Sequence, residues 1–219
     1  MQKLIYFLSI LLFINCDKKE DLTFKEMKAD KLLSESFTDN ELKDLAKLVD
    51  FFESQICLDK NVSKEECYFN FNQDRFNIAF KDYETKKNEF ITIPIDYELQ
   101  TKLYKKIDST FFKEIWINPV TGFNGEKPKK RDWYTINLFG EYPKFMKKTG
   151  EVNNDIFFIN IYENFNLSNE LSPSITIIES HKLSINDYRD IKKKLYFSIY
   201  YLNLKEQEVK YRYPKKLKK

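Results

Sequence analysis

The stretch FTDNELKDLAKLVDFFESQIC, residues 37–57, constrains this chain more than any other. Leu42, Leu45, Val49, Phe52 and Ile56 recur at alternating steps of three and four, the spacing that lines one face of an α-helix. Thr38 and Glu41 stand three apart at its start, as in a capping box, and Phe37 precedes the cap as a staple residue does. Such a helix must bury its apolar stripe against partners.

Partners are legible further along. Pro94 opens a segment in which Ile95, Leu99, Leu103 and Ile107 share one helical face, and proline suits a first turn. Ser184 and Asp187 read as the cap of INDYRDIKKKLYFSIYYLNL, with Tyr188, Ile191, Leu195, Ile199 and Leu202 at helical spacing. That segment is expected to be the longest and most buried helix. Ser63 and Glu66 form a second capping box for a short helix carrying Cys67. Phe158, Ile161, Tyr162 and Phe165 favour a helix over 154–166.

Two regions read differently. Over 75–93, Phe76, Ile78 and Phe80 alternate, as do Ile91 and Ile93, which predicts a short hairpin or a helix end followed by a strand. Between 109 and 134, Pro119, Gly122, Gly125 and Pro128 interrupt the periodicity, so this stretch reads as loop. The expected fold is mainly α: a compact helical domain over 37–208 with at most a minor β-hairpin. A basic tail over 209–219 follows.

The first residues address location. Lys3 precedes an apolar run from Leu4 to Ile14, broken only by Ser9 and ending near Cys16. A positive charge followed by ~7–15 apolar residues is secretory signal architecture, and the run is shorter than the roughly 20 residues a spanning helix needs. LLFINC resembles the signal of bacterial lipoproteins, although Phe13 stands where Leu is usual and Asn15 where Gly, Ala or Ser is usual. The resemblance implies that 1–15 is removed and that Cys16 becomes a lipidated first residue. Residues 16–36, charged from Asp17 to Asp21 and with a weak apolar pattern at Met27, Leu32 and Leu33, then read as that cysteine and a tether, helical in part. With more than one acyl chain, the anchor would be close to permanent, since each buried methylene contributes ~0.8 kcal/mol. The implied location is the cell envelope, at the outer membrane of a Gram-negative bacterium. IDYELQTKLYKKIDSTFFKEIW likewise resembles a segment of uncharacterised secreted and lipoprotein-like bacterial proteins, and carries over no functional residues.

If lipid consumes Cys16, Cys57 and Cys67 remain as an even pair in an oxidising compartment, where a disulfide is expected. Closing that loop stabilises by roughly 2.5–3 kcal/mol on a chain-entropy estimate. A zinc site would need three or four ligands, and the one histidine, His181, is distant in sequence.

Catalytic signals are weak. His181 lies beside Ser180 and near Asp187, but adjacency in sequence is not triad geometry, and the residue reads as a surface or pre-helix position. Glu114 and Asp132 are the least implausible acid pair for glycoside hydrolysis, which depends on carboxylates converging in space; solvated loop acids are the plainer reading. Four glycines leave no phosphate-binding loop. No catalytic residue, metal or cofactor is expected. A formal net charge of +3 argues against nucleic acid as partner.

What remains is recognition. Trp133 and Tyr134 beside Lys129, Lys130 and Arg131 form the best candidate partner-binding surface, because exposed aromatics favour contacts with proteins or ligands. Trp116, which follows a helical stretch, reads as core. The basic residues of 209–219 could add about 1 kcal/mol each near an anionic membrane, which would orient an already anchored protein. The expected function is a non-enzymatic envelope lipoprotein that binds a partner, an immunity-type protein being one form of this. The alternative is an envelope hydrolase or glycan-binding protein.

Overall fold

The computed structural model describes residues 21–85, 92–121 and 129–212. Cys16 and the segment ahead of it lie outside the described residues. A tether, helical in part, is expected over 16–36; from Leu22 the chain is indeed helical, α1 (Leu22–Ala29) and α2 (Lys31–Ser36), but these helices are docked on the domain. Asp21 caps the first and Asp30 the second, where Asp30 Oδ1 accepts from Leu33 N at 2.9 Å. Met27 and Leu33 are fully buried. Burying such a side chain contributes about 1.5–3 kcal/mol, enough for a few apolar positions to dock two short helices. The tether reading is corrected from Leu22 onward.

The helix at 37–57 is α3 (Asp39–Ile56). Glu41 Oε2 accepts the Thr38 amide at 2.7 Å and Thr38 Oγ1 accepts the Glu41 amide at 3.4 Å, closing the capping box. Leu42, Leu45, Val49 and Phe52 are buried as spaced. The Ser63–Glu66 box opens α4 (Lys64–Thr85). This helix is long: of the two readings from 75, its run to Thr85 agrees with a helix end and excludes a hairpin there. Its inward line passes through Tyr68, Asn72, Arg75 and Asp82, of which Tyr68, Asn72 and Asp82 are buried. Because that line is largely polar, an apolar period could not reveal it. The part of the 75–93 expectation over 86–91 lies outside the described residues.

Cys57 caps the end of α3 and Cys67 sits in the first turns of α4. Their Cα atoms are 5.3 Å apart and their sulfurs are in disulfide contact. Next come α5 (Tyr97–Tyr104) and α6 (Ser109–Ile115). A thin antiparallel ribbon follows: β1 (Trp116–Ile117), β2 (Val120–Thr121), β3 (Lys129–Lys130) and β4 (Thr135–Ile136). Trp116 pairs with Ile136, and Val120 with Lys130. The minor β element therefore lies where a loop is expected.

Then α7 (Glu141–Asn153) and α8 (Ile156–Ser168) pack together, and α9 (Pro173–His181) leads to the last long helix. The Ser184–Asp187 box caps only a 3₁₀ turn, Ile185–Arg189. Asp190 then caps α10 (Ile191–Gln207) afresh, which a π turn over Glu208–Arg212 continues. Residues 213–219 of the basic tail lie outside the described residues.

Every position of α10 from Leu195 to Leu204 is buried. A helix apolar or satisfied on all sides belongs at the centre of a domain, and α10 packs on α3, α5 and the ribbon. Several of its polar groups are partnered across the core: Tyr201 donates to Asn72 Oδ1 at 2.7 Å, and the Tyr196 and Thr176 hydroxyls lie 2.7 Å apart. One continuous apolar cluster runs from Met27 to Leu204. The fold is mainly α, a helical domain with a minor β ribbon.

Candidate functional site

An aromatic groove opens between α5, α6, the ribbon and the end of α10, enclosing about 720 Å³, within the range of ligand pockets. Local sequence places each wall. Asp96 caps α5 by accepting from Leu99 N at 3.0 Å, which leaves Tyr97, Thr101 and Tyr104 along the groove side. Asp108 caps α6, accepting from the amides of Thr110 and Phe111 at 2.9 and 3.0 Å. Those two amides hold its carboxyl below the usual range. Phe112 then faces the groove from α6, and Trp116 from β1.

The rings form one packed cluster. Phe112 lies 5.0 Å from Trp116, 4.9 Å from Tyr134 and 5.2 Å from Tyr104, centroid to centroid. Tilted and edge-on pairs of this kind add about 0.5–1.5 kcal/mol each beyond burial. Gln100, wholly buried, donates from Nε2 to the Tyr104 hydroxyl at 2.9 Å and to the Leu202 carbonyl at 3.0 Å. Burial also pushes the Tyr104 phenol well above its ordinary value, so it stays neutral.

Glu206, 2% exposed, closes the groove from α10. It accepts from the Tyr97 hydroxyl at 2.8 Å and from the Tyr134 backbone amide. Burial raises its pKa against the pull of those donors and of Lys210. Glu206 thereby pins both α5 and the returning ribbon to the central helix. Gly140, where the ribbon leads into α7, lies so close to the Glu114 carbonyl that a Cβ would collide with it.

Of the residues singled out from sequence, the structure brings Tyr134 and Lys130 to this groove. Arg131 and Trp133 lie outside its lining. The Trp133 carbonyl accepts from Asn118 Nδ2 at 3.1 Å, and the Arg131 amide donates to the Pro119 carbonyl at 2.9 Å. Lys129 contributes backbone pairing with Thr121. Trp116 is core, 1% exposed.

The weaker catalytic candidates are not assembled. Glu114 accepts from the Glu141 amide at 3.1 Å and lines a separate hollow beside Asp44, while Asp132 is exposed. His181 stacks on Phe76 at 3.7 Å with Nδ1 2.9 Å from Gln73 Oε1. The buried Ser180 hydroxyl donates to the Ile177 carbonyl, and Asp187 holds Ser184. Among the described residues no three His, Cys, Asp or Glu side chains are grouped to hold a metal, and no helix is long and apolar enough to cross a membrane.

Tyr97, Tyr104, Phe112 and Glu206 are among the groove residues that sequence reading missed. A signal existed: Tyr97, Thr101 and Tyr104 repeat at steps of four and three on the side of the helix away from Leu99 and Leu103. Such a polar-aromatic stripe beside an apolar one marks a second face in contact with something. Comparison of the chain with protein families, with curated proteins and with solved structures returned no match.

Proposed function

We propose that this chain is a lipid-anchored bacterial envelope protein that acts by binding rather than by catalysis, with the aromatic groove as its recognition surface. The groove is the observation that carries the reading: partly open, walled by Tyr97, Phe112, Trp116 and Tyr134, and rigidly backed by Glu206 on the central helix. Aromatic walls on a fixed frame are what a binding site requires. A hydrolase would require two carboxyl groups flanking a bond, whereas Glu206 is the one carboxylate among the described lining residues, with donors already engaged. The anchor at Cys16 rests on the signal-like residues 1–16 alone.

Photo-crosslinking in the host bacterium tests the reading. A benzophenone side chain is placed at Val120, exposed on the groove's edge, or at Leu167, exposed on α8. Adducts from Val120 and none from Leu167 support recognition through the groove. Silence at both, or equal labelling, sinks it. Membrane fractionation of a Cys16→Ala variant checks the anchor separately, since unchanged membrane association removes that part of the proposal.

A further inference from the structure

Much of the groove's polar interior is already engaged in its own hydrogen bonds, while the Trp116 indole N–H, buried behind the rings, has none. The Tyr97 hydroxyl donates to Glu206, the Thr101 hydroxyl to the Tyr97 carbonyl at 2.9 Å, and Asn118 Nδ2 to the Trp133 carbonyl. A sugar would find few free partners for its hydroxyls there. Aromatic rings with Ile107 and Ile117 supply most of the remaining lining.

Charge is concentrated at the mouth. Lys105 at the end of α5, Lys113 on α6 and Lys130 on β3 all border the groove and are exposed. Among the described residues none of the three is paired with a carboxylate, although Lys102 on the same helix as Lys105 pairs with Glu98, and Lys144 pairs with Glu141. Three ammonium groups without a carboxylate partner among the described residues, set around an apolar cleft, raise the local concentration of anions. They disfavour a cationic guest, although aromatic walls would otherwise suit one.

Building on the binding function proposed above, we infer that the groove takes a single-chain amphiphile with an anionic head, of the fatty-acid class. The apolar chain lies among Tyr104, Phe112, Trp116 and Tyr134, and the head group meets the lysine rim. A chain of this kind has only apolar surface to bury in the interior and one charge to place at the mouth. The groove offers the same division.

Calorimetric titration of the purified full-length chain tests the ligand class with three probes below their micellar concentrations: sodium dodecanoate, dodecyltrimethylammonium chloride and dodecyl maltoside. Dodecanoate is expected to bind saturably, one per chain, about tenfold or more tighter than either of the others. The variant Lys105→Gln/Lys113→Gln/Lys130→Gln is expected to lose about tenfold of that affinity, together with its salt dependence, at an unchanged melting midpoint. These exposed positions do not carry the fold. Equal affinity for the three probes overturns the anionic head, and undiminished dodecanoate binding by the triple variant overturns the lysine rim. Absence of saturable binding by every probe, with Val120 still crosslinking in cells, overturns the amphiphile and leaves groove recognition standing. A silent Val120 removes the binding function itself, whatever the probes do.

Discussion

Lys192 Nζ reaches Asp30 Oδ2 at 2.6 Å across 162 residues of chain, tying the second N-terminal helix to the head of the central one. Its neighbours do the same elsewhere. Lys193 pairs with Asp155 at 2.5 Å, and Lys194 with Glu65 at 3.1 Å and Glu26 at 3.8 Å. A run of three lysines that would ordinarily be a solvated face is thus drawn inward, Lys193 and Lys194 buried and Lys192 partly so, each paired with an acid. Burial pulls the Lys192 ammonium down, but the hydrogen bonds it donates to Asp190 and Asp30 more than offset that and leave its pKa raised. Removing one member of a buried pair costs more than the pair contributes, because a desolvated charge is left behind.

Asp30→Asn is therefore expected to destabilise the protein by about 1–2 kcal/mol, since Asp190 still contacts Lys192 at 2.8 Å. Asn caps helices as well as Asp does, so the change isolates the charge. Urea unfolding measures it; a change within error would show that α1 and α2 dock through Met27 and Leu33 alone.

Cys57 and Cys67 are expected to be bridged in exported protein, and Cys67→Ser to cost roughly 2–3 kcal/mol. Peptide mapping without reduction should recover the two peptides joined. Alkylatable thiols at both positions would reject the bridge.

Glu206 links stability to pH. Its pKa is raised in the folded state by burial, so the native chain takes up a proton before the unfolded chain does. As pH falls from 7 toward the unfolded carboxyl value, wild type should gain stability relative to Glu206→Gln, and below that value the difference should level off. Chemical denaturation at several pH values between 7 and 4 reads this directly. A difference that stays flat, or that moves the other way, contradicts a desolvated carboxylate.

The two tryptophans should part company. Trp116, buried under Tyr104 and Phe112, should cost about 3–5 kcal/mol when cut to Ala. Trp133 is half-buried and its bond to Asn118 runs through the backbone, so Trp133→Ala should cost about 1 kcal/mol or less. Thermal melts by circular dichroism distinguish them, and similar losses would place Trp133 in the core as well.

Local chemistry by itself determined the helix at 37–57, the caps at Thr38 and Ser63 and the burial of Trp116. It also placed a helix after Pro94, though this one starts only at Tyr97, capped by Asp96, and ends at Tyr104 rather than reaching Ile107. Capping boxes and apolar periods act within a turn or two, so their consequences are readable one segment at a time. The same signal misplaced the start of α10, because Asp190 caps the chain again directly after the turn that Ser184 begins. It also missed the inward face of α4, where Asn72 and Asp82 take core positions that hydropathy assigns to solvent. Asn72 is tolerated there because Tyr201, 129 residues away, donates a hydrogen bond to it. Only the tertiary structure decided the groove, since Tyr97, Phe112, Tyr134 and Glu206 come from four separate segments of the chain and meet through the packing of α5 and the ribbon on α10. Whether a polar side chain is exposed, buried or aimed into a cleft depends on partners that the chain delivers from far away. No local pattern encodes that delivery.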